Sequence, residues 1–141
     1  MKAKPRAKMN RTLILTPAER SKYKKRLLRL SRPAAPEEIL DTTINQDLLE
    51  ALPYLPSGFV DLLFIDPPYN LDKQFNRNPF RKKSLDQYAG WMDGWLARLV
   101  PLLKPDASIY ICADWRSSPM VHAVAARYFT VRNRITWERE K

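Results

Sequence analysis

The hydrophobic pattern is densest in the run Phe59-Val60-Asp61-Leu62-Leu63-Phe64-Ile65, which the turn Pro56-Ser57-Gly58 opens. A short, almost unbroken apolar run of this kind predicts a strand buried on both faces of a parallel sheet. Further on, Leu85, Tyr88, Met92, Trp95, Leu99 and Leu102 recur at helical spacing behind Ser84-Leu85-Asp86-Gln87, a capping box. Pro101 bends or ends that helix, because it has no backbone hydrogen to donate. Lys104-Pro105-Asp106 reads as a turn, residues 107–112 as a second buried strand, and Ser117-Ser118-Pro119 as the start of a helix to about Tyr128. Residues 129–137, with Val131, Ile135 and Trp137 in alternation, read as a third strand. Strand, helix, strand, helix, strand argues for an α/β fold with a parallel sheet and right-handed crossovers.

Upstream the pattern is polar and basic. Thr16-Pro17-Ala18-Glu19 starts a helix that should run to about Leu30, with Tyr23, Leu27 and Leu30 on one face. That helix has two readings: it lies on nucleic-acid phosphates, or its apolar face docks on the core with the cations outward. Arg32-Pro33-Ala34-Ala35-Pro36 forms a linker. Residues 39–44 suggest a short strand, and residues 46–55 a helix with Leu48, Leu52 and Leu55 on a stripe. Residues 70–83 have no period and read as a long loop. The organisation is then a basic, disordered arm (1–15), a basic amphipathic helix with a Pro-rich linker (16–36), and an α/β body (37–141).

Composition narrows the function classes. The 141 residues suffice for one domain with a real core, and no apolar stretch is long enough to span a bilayer. The N-terminus lacks the apolar core of a signal peptide. Cys112 is the single cysteine, so no internal disulfide forms, and a reducing, cytoplasmic setting fits. With only His122 beside it, a Cys/His zinc site is excluded. The formal charge of +10 is unevenly placed: residues 1–36 hold 12 Lys/Arg and one acid, residues 37–141 hold 13 and 14. A basic arm beside a neutral body suits a nucleic-acid partner, and equally a solvated tail.

The candidate chemistry lies in Asp66-Pro67-Pro68-Tyr69, directly after the first strand. Ligands of open α/β sheets bind beyond the carboxyl ends of the strands. The nucleobase amino group is a poor nucleophile, since its lone pair is delocalised into the ring. Two fixed acceptors that take both its hydrogens localise and aim that lone pair. The Asp66 carboxylate and a motif carbonyl, that of Pro67, can serve, and the prolines fix them before substrate arrives. Tyr69 offers a face for stacking. The plainer alternative is a rigid stop between strand and loop. Lys73, Arg77, Arg81, Lys82 and Lys83, interleaved with Phe75 and Phe80, either clasp a DNA backbone or form a solvated loop. Asp114-Trp115-Arg116, past the second strand on the same edge, either borders a pocket or makes a surface turn.

The stretch Val60-Asp61-Leu62-Leu63-Phe64-Ile65-Asp66-Pro67-Pro68-Tyr69-Asn70 resembles catalytic motif IV of the bacterial amino-DNA methyltransferases. The likeness is to the adenine-N6/cytosine-N4 group in which this motif precedes the cofactor-binding glycine loop. Ile44-Asn45-Gln46-Asp47-Leu48-Leu49-Glu50-Ala51-Leu52 resembles the family's Gly-Asp segment, with Gln46 in place of Gly, and suggests Asp47 as a cofactor contact. Leu103–Ile111 and Ile135-Thr136-Trp137 also look like family segments. The resemblance implies a partial Rossmann-like sheet, S-adenosylmethionine as methyl donor, and double-stranded DNA with a flipped-out base as substrate. It implies Asp66, Pro67, Pro68 and Tyr69 as catalytic, and Asn70 with the five loop cations as DNA contacts. Gly58, Gly90 and Gly94 make no Gly-x-Gly pair, so the chain reads as a catalytic half completed by further sequence or a second chain. Asp66 at the first motif position leans towards adenine N6. Cytosine N4, RNA or protein-glutamine substrates, and an inactive nucleic-acid-binding fragment stand as alternatives.

Overall fold

The computed structural model describes residues 15–75 and 78–138, with the backbone alone at 73–75 and 78. The elements in chain order are α1 (Pro17–Lys24), β1 (Leu27–Leu28), α2 (Pro36–Ile39), β2 (Thr43–Ile44) and α3 (Leu48–Ala51), which a 3-10 turn extends over Leu52–Tyr54. Then come β3 (Val60–Ile65), β4 (Lys73–Phe75), β5 (Asn78–Phe80), α4 (Leu85–Leu99), β6 (Leu103–Ile111) and α5 (Ser118–Ala125). A 3-10 turn at Val100–Leu102 carries α4 into β6. The strands form three separate pairs, β1 with β2 and β3 with β6 in parallel, β4 with β5 antiparallel. The α/β class is present, with two parallel pairs that each have a helix between their strands; a continuous Rossmann sheet is not formed by the described residues.

The Thr16 and Ser84 capping boxes both form. α1 nevertheless stops at Lys24, well short of Leu30. Lys22/Arg26 and Lys25/Arg29 would become like-charged neighbours four apart on a longer helix, which is unfavourable. Leu27 and Leu28 instead pair with Thr43 and Ile44. Docking of α1 is overturned too: none of its residues is buried, Tyr23 is exposed, and only Leu30 beyond it enters the interior. The basic arm up to residue 14 lies outside the described residues.

The expected turn at Lys104-Pro105-Asp106 is part of β6. Val60 pairs with Leu103 and Leu62 with Ser108, so the residues between Leu103 and Ser108 bow out opposite Asp61. Pro105 is tolerated there because an irregularity needs no donor from it. Lys104 Nζ bridges the bow to Asp61 Oδ1 at 2.6 Å.

Burial of β3 on both faces is also overturned. Leu63, Ile65 and Ile111 face the helices, whereas Leu62 and Phe64 are 58% and 66% exposed. Phe64 stacks on Tyr110 of β6 across this open face, ring centroids 6.4 Å apart. The loop expected over 70–83 contains the β4–β5 hairpin. The third strand is not formed: residues 131–138 are exposed, Trp137 at 89%, with no strand beside them among the described residues.

The core lies between α4, α5 and the inner face of the strand pair. Tyr88, Met92, Leu96, Val121 and Val124 form one buried cluster and Leu52, Leu99 and Leu102 a second, with Trp95 against both. Tyr88, Met92, Leu96 and Leu99 stand on one stripe of α4, which fixes the helix beneath the carboxyl ends of β3 and β6.

Candidate active site

The chain leaves the sheet at a defined point. Cys112 N–H donates to the Ile65 carbonyl at 2.8 Å, and Asp66 follows, exposed at the sheet edge. Pro67 is buried beneath it. Tyr69 turns back so that its hydroxyl donates to Asp66 Oδ1 at 2.6 Å. This bond to a carboxylate, helped by burial and by the Asp66 charge, pushes the Tyr69 phenol from 10.0 up to about 12. Tyr69 is therefore a donor at neutral pH. A raised folded pKa means its contribution to stability is full below pH 10.0 and lost as pH rises through about 12. Ultraviolet titration of Tyr69→Phe against the parent is expected to lose one phenol ionising near 12. Loss of an ordinary ionisation near 10 instead would refute the Tyr69–Asp66 bond.

Two further ties hold the corner. Tyr88, buried on α4, donates its hydroxyl to the Pro68 carbonyl at 2.8 Å. Asn70 has φ 54°, a left-handed conformation that Asn tolerates better than most residues. Its side chain is buried and pairs twice with Lys83: Nδ2 donates to the carbonyl at 3.0 Å, and Oδ1 accepts from N–H at 2.8 Å. Asp72 Oδ1 accepts from Lys82 N–H at 2.9 Å, so the hairpin is closed at its base. Ser84 then caps α4 directly after it.

Across the edge, the turn after β6 is held by Asp114. Its Oδ1 accepts from Ser117 N–H at 2.7 Å and from Ser117 Oγ at 2.6 Å. Burial pushes the Asp114 carboxyl up, but the Ser117 hydrogen bonds and nearby Arg116 outweigh it and hold the group below its ordinary range. A pocket of about 160 Å³ opens between this turn and the hairpin, lined by Tyr69, Leu71, Lys82, Leu85, Arg116 and Ser117, with Asn70 and Tyr88. Asp66 stands beside the pocket, tied to it through Tyr69.

The expected residues therefore separate. Asp66, Pro67, Pro68 and Tyr69 form one corner, with a carboxylate at the rim able to accept hydrogens from a flat amine. Lys82 reaches the pocket, Lys83 Nζ lies 5.7 Å from the centre of the Phe80 ring, and Arg81 is exposed. Asn70 has turned inward, with both ends of its amide engaged by Lys83 rather than offered to DNA. Lys73 starts β4, but its side chain and the whole of Arg77 lie outside the described residues. Asp47 caps α3, its Oδ1 accepting from Leu49 N–H at 2.9 Å and Glu50 N–H at 3.4 Å. Gln46, in the place of the family's Gly, accepts from Leu30 N–H at 2.9 Å.

Sequence reasoning placed Tyr88 only in the core. Helical spacing sorts residues into faces and does not show which hydroxyl has a backbone partner 20 residues away. Asp114-Trp115-Arg116 leads into an exposed turn, with Trp115 at 74%, and Arg116 at the same time lines the pocket. The pocket is smaller than the about 300–1,000 Å³ usual for drug-sized ligands, and the Asp47 carboxylate is engaged as the cap of α3. No group of three or more His, Cys, Asp or Glu among the described residues could hold a metal ion. No helix among them is long and apolar enough to cross a membrane.

Among known proteins, the model of the N6/N4 family, described as DNA methylase, matches residues 60–141. The DNA adenine methyltransferase YhdJ of Escherichia coli is 33% identical over 96 residues, which cover 68% of this chain and 32% of that protein. Type II methyltransferase M.BamHI of Bacillus amyloliquefaciens is 33% identical over 92 residues, covering 65% and 22%. M.BglII of Bacillus subtilis, also a type II methyltransferase, is 29% identical over 118 residues, covering 74% and 31%. The matches thus span about a quarter to a third of these relatives.

Proposed function

Because this chain belongs to the DNA methylase family of the adenine-N6/cytosine-N4 type, we propose that it supplies the amine-binding corner of a site-specific enzyme methylating an exocyclic amino group of DNA, adenine N6 first. The observation that carries this reading is the placement of Asp66 at the carboxyl end of β3, exposed, with the two prolines and Tyr69 folded around it. S-adenosylmethionine is the methyl donor in this proposal. The part assigned to the described residues is to receive the amine and aim it.

Asp66 keeps one carboxylate oxygen while Tyr69 occupies the other. The Pro68 carbonyl is engaged by Tyr88, and no donor among the described residues is paired with the carbonyl of Pro67. Asp66 and Pro67 O are therefore the two acceptors that would take the amine hydrogens. They are set in advance by the strand end and the proline rings, where electrostatic stabilisation is most effective. The Tyr69 ring would stack on the base, worth roughly 1–3 kcal/mol.

Lys82 and Arg116 line the pocket beside Asp66 and would attract a DNA backbone, and the basic first 36 residues would add to that attraction. The open apolar face of β3 and β6, with Leu62, Phe64 and Tyr110 exposed, supports a further layer contributed by additional sequence or a second chain.

The test is made with the full gene. DNA from expressing cells is expected to carry N6-methyladenine at a defined sequence, read by methylation-sensitive digestion and direct sequencing. N4-methylcytosine in its place would keep the family chemistry and correct the target base. Methyl label in RNA or protein, with none in DNA, would overturn the proposal.

A further inference from the structure

We propose that Tyr88 and Asn70 are positioning residues: together they clamp the Asp66–Tyr69 corner and aim its two acceptors. This rests on the amine-binding reading above and assigns tasks to two residues that do not touch the amine. The prolines fix their own φ and confine the ψ of Asp66 and Pro67 to the extended range, but the ψ of Pro68 and the spread within that range are left to other contacts, so the rings narrow the directions of the motif carbonyls without fully setting them. Two backbone carbonyls and one side chain supply what is missing. Ile65 O is held on the sheet side by Cys112 N–H, at 2.8 Å. Pro68 O is held on the helix side by the Tyr88 hydroxyl, also at 2.8 Å. Asn70, immediately after the motif, is held by two bonds to Lys83. The Pro67–Pro68 peptide is thus suspended between fixed ends, which leaves the Pro67 carbonyl a narrow range of directions.

The ring of Tyr88 has a separate task. It stacks on Trp91 with centroids 5.4 Å apart and meets Phe80 edge-on at 6.5 Å. Phenylalanine would serve that packing equally well. The hydroxyl is the part that reaches the motif, and a buried hydroxyl is retained at little cost only when it is hydrogen-bonded. For Asn70, the left-handed backbone and the twofold pairing with Lys83 combine, and glycine would keep the first while losing the second.

In the complete enzyme, Tyr88→Phe is expected to lower kcat by about 10- to 100-fold, the scale set by small misplacement of reacting groups. KM for DNA and the melting temperature should stay close to the parent. Asn70→Gly should repeat the loss of kcat at constant KM, with a lower melting temperature because Lys83 loses both hydrogen bonds. Trp91→Phe, which disturbs the same aromatic packing without touching the motif, separates packing from orientation. An equal kcat loss in Trp91→Phe would overturn the clamp, as would unchanged kcat in Tyr88→Phe. If Tyr88→Phe does not fold, Asn70→Gly decides: a kcat loss at constant KM supports the clamp, and unchanged kcat overturns it. Asp66→Ala run in parallel keeps the two ideas apart. Turnover retained in Asp66→Ala removes the amine-binding reading itself; turnover lost there but retained in both clamp variants removes only the clamp.

Discussion

Replacing Asp66 with Ala in the complete enzyme is expected to cut turnover by at least about 10- to 150-fold while leaving DNA affinity nearly unchanged. The lower bound comes from charge-assisted hydrogen bonds, worth about 1.5–3 kcal/mol, if these are made only as the amine is activated. Folding should be spared, because Asp66 is exposed and its one side-chain hydrogen-bond partner among the described residues is the Tyr69 hydroxyl, which water can satisfy. DNA affinity should be spared because it comes chiefly from Lys and Arg on phosphates, and Asp66 carries the opposite charge. Asp66→Asn is the informative companion, since it keeps one carbonyl acceptor and removes the charge. Single-turnover methylation measured beside a DNA-binding titration decides the matter. Parental turnover in Asp66→Ala would leave the corner a structural stop.

Leu96→Ala should destabilise the complete protein by about 2–5 kcal/mol, the usual cost of emptying a fully buried leucine site. Leu96 is 0% exposed on α4 and packs with Met92, Val121 and Val124. The cluster is made by two helices, so its walls close on a void only by moving α4, which carries Tyr88. Urea unfolding should show a lower midpoint with an unchanged slope. A loss below about 1 kcal/mol would mean that the helices collapse into the gap, in which case Tyr88 moves and turnover falls without a matching change in stability.

Legibility in the sequence followed the range of the interactions. Both capping boxes and the start of α4 depend on neighbours within a few residues, and they form as read; the strand ending at the motif forms because β6 stands beside it. Strand formation at 129–137 requires a partner strand, and alternation cannot reveal whether one stands alongside. The same limit applies to β3: its apolar run states that both faces are fit to be covered, whereas the described residues cover one. The short α1 has a different cause, since apolar spacing to Leu30 ignores the repulsion among its cations. The hairpin over 73–80 escaped notice because Pro79 and the charged neighbours mask a strand pattern, and backbone pairing does not need one. At the site, the motif itself was legible, while its supports were not. Tyr88 reads as one more apolar position on a helix, and Asn70 as an exposed polar residue, until the chain brings Lys83 and Pro68 to them.

The bow opposite Asp61 places slack at the rim of the strand pair farthest from Asp66. One strand there already accommodates surplus chain without shifting the rungs from Leu62 to Ile65, which stay paired with Ser108 to Ile111. Insertions or a grafted label between Lys104 and Ala107 would be absorbed locally, like play at the hinge end of a gate whose latch stays true. Divergence in loop length can therefore accumulate at that end without retuning the reactive one.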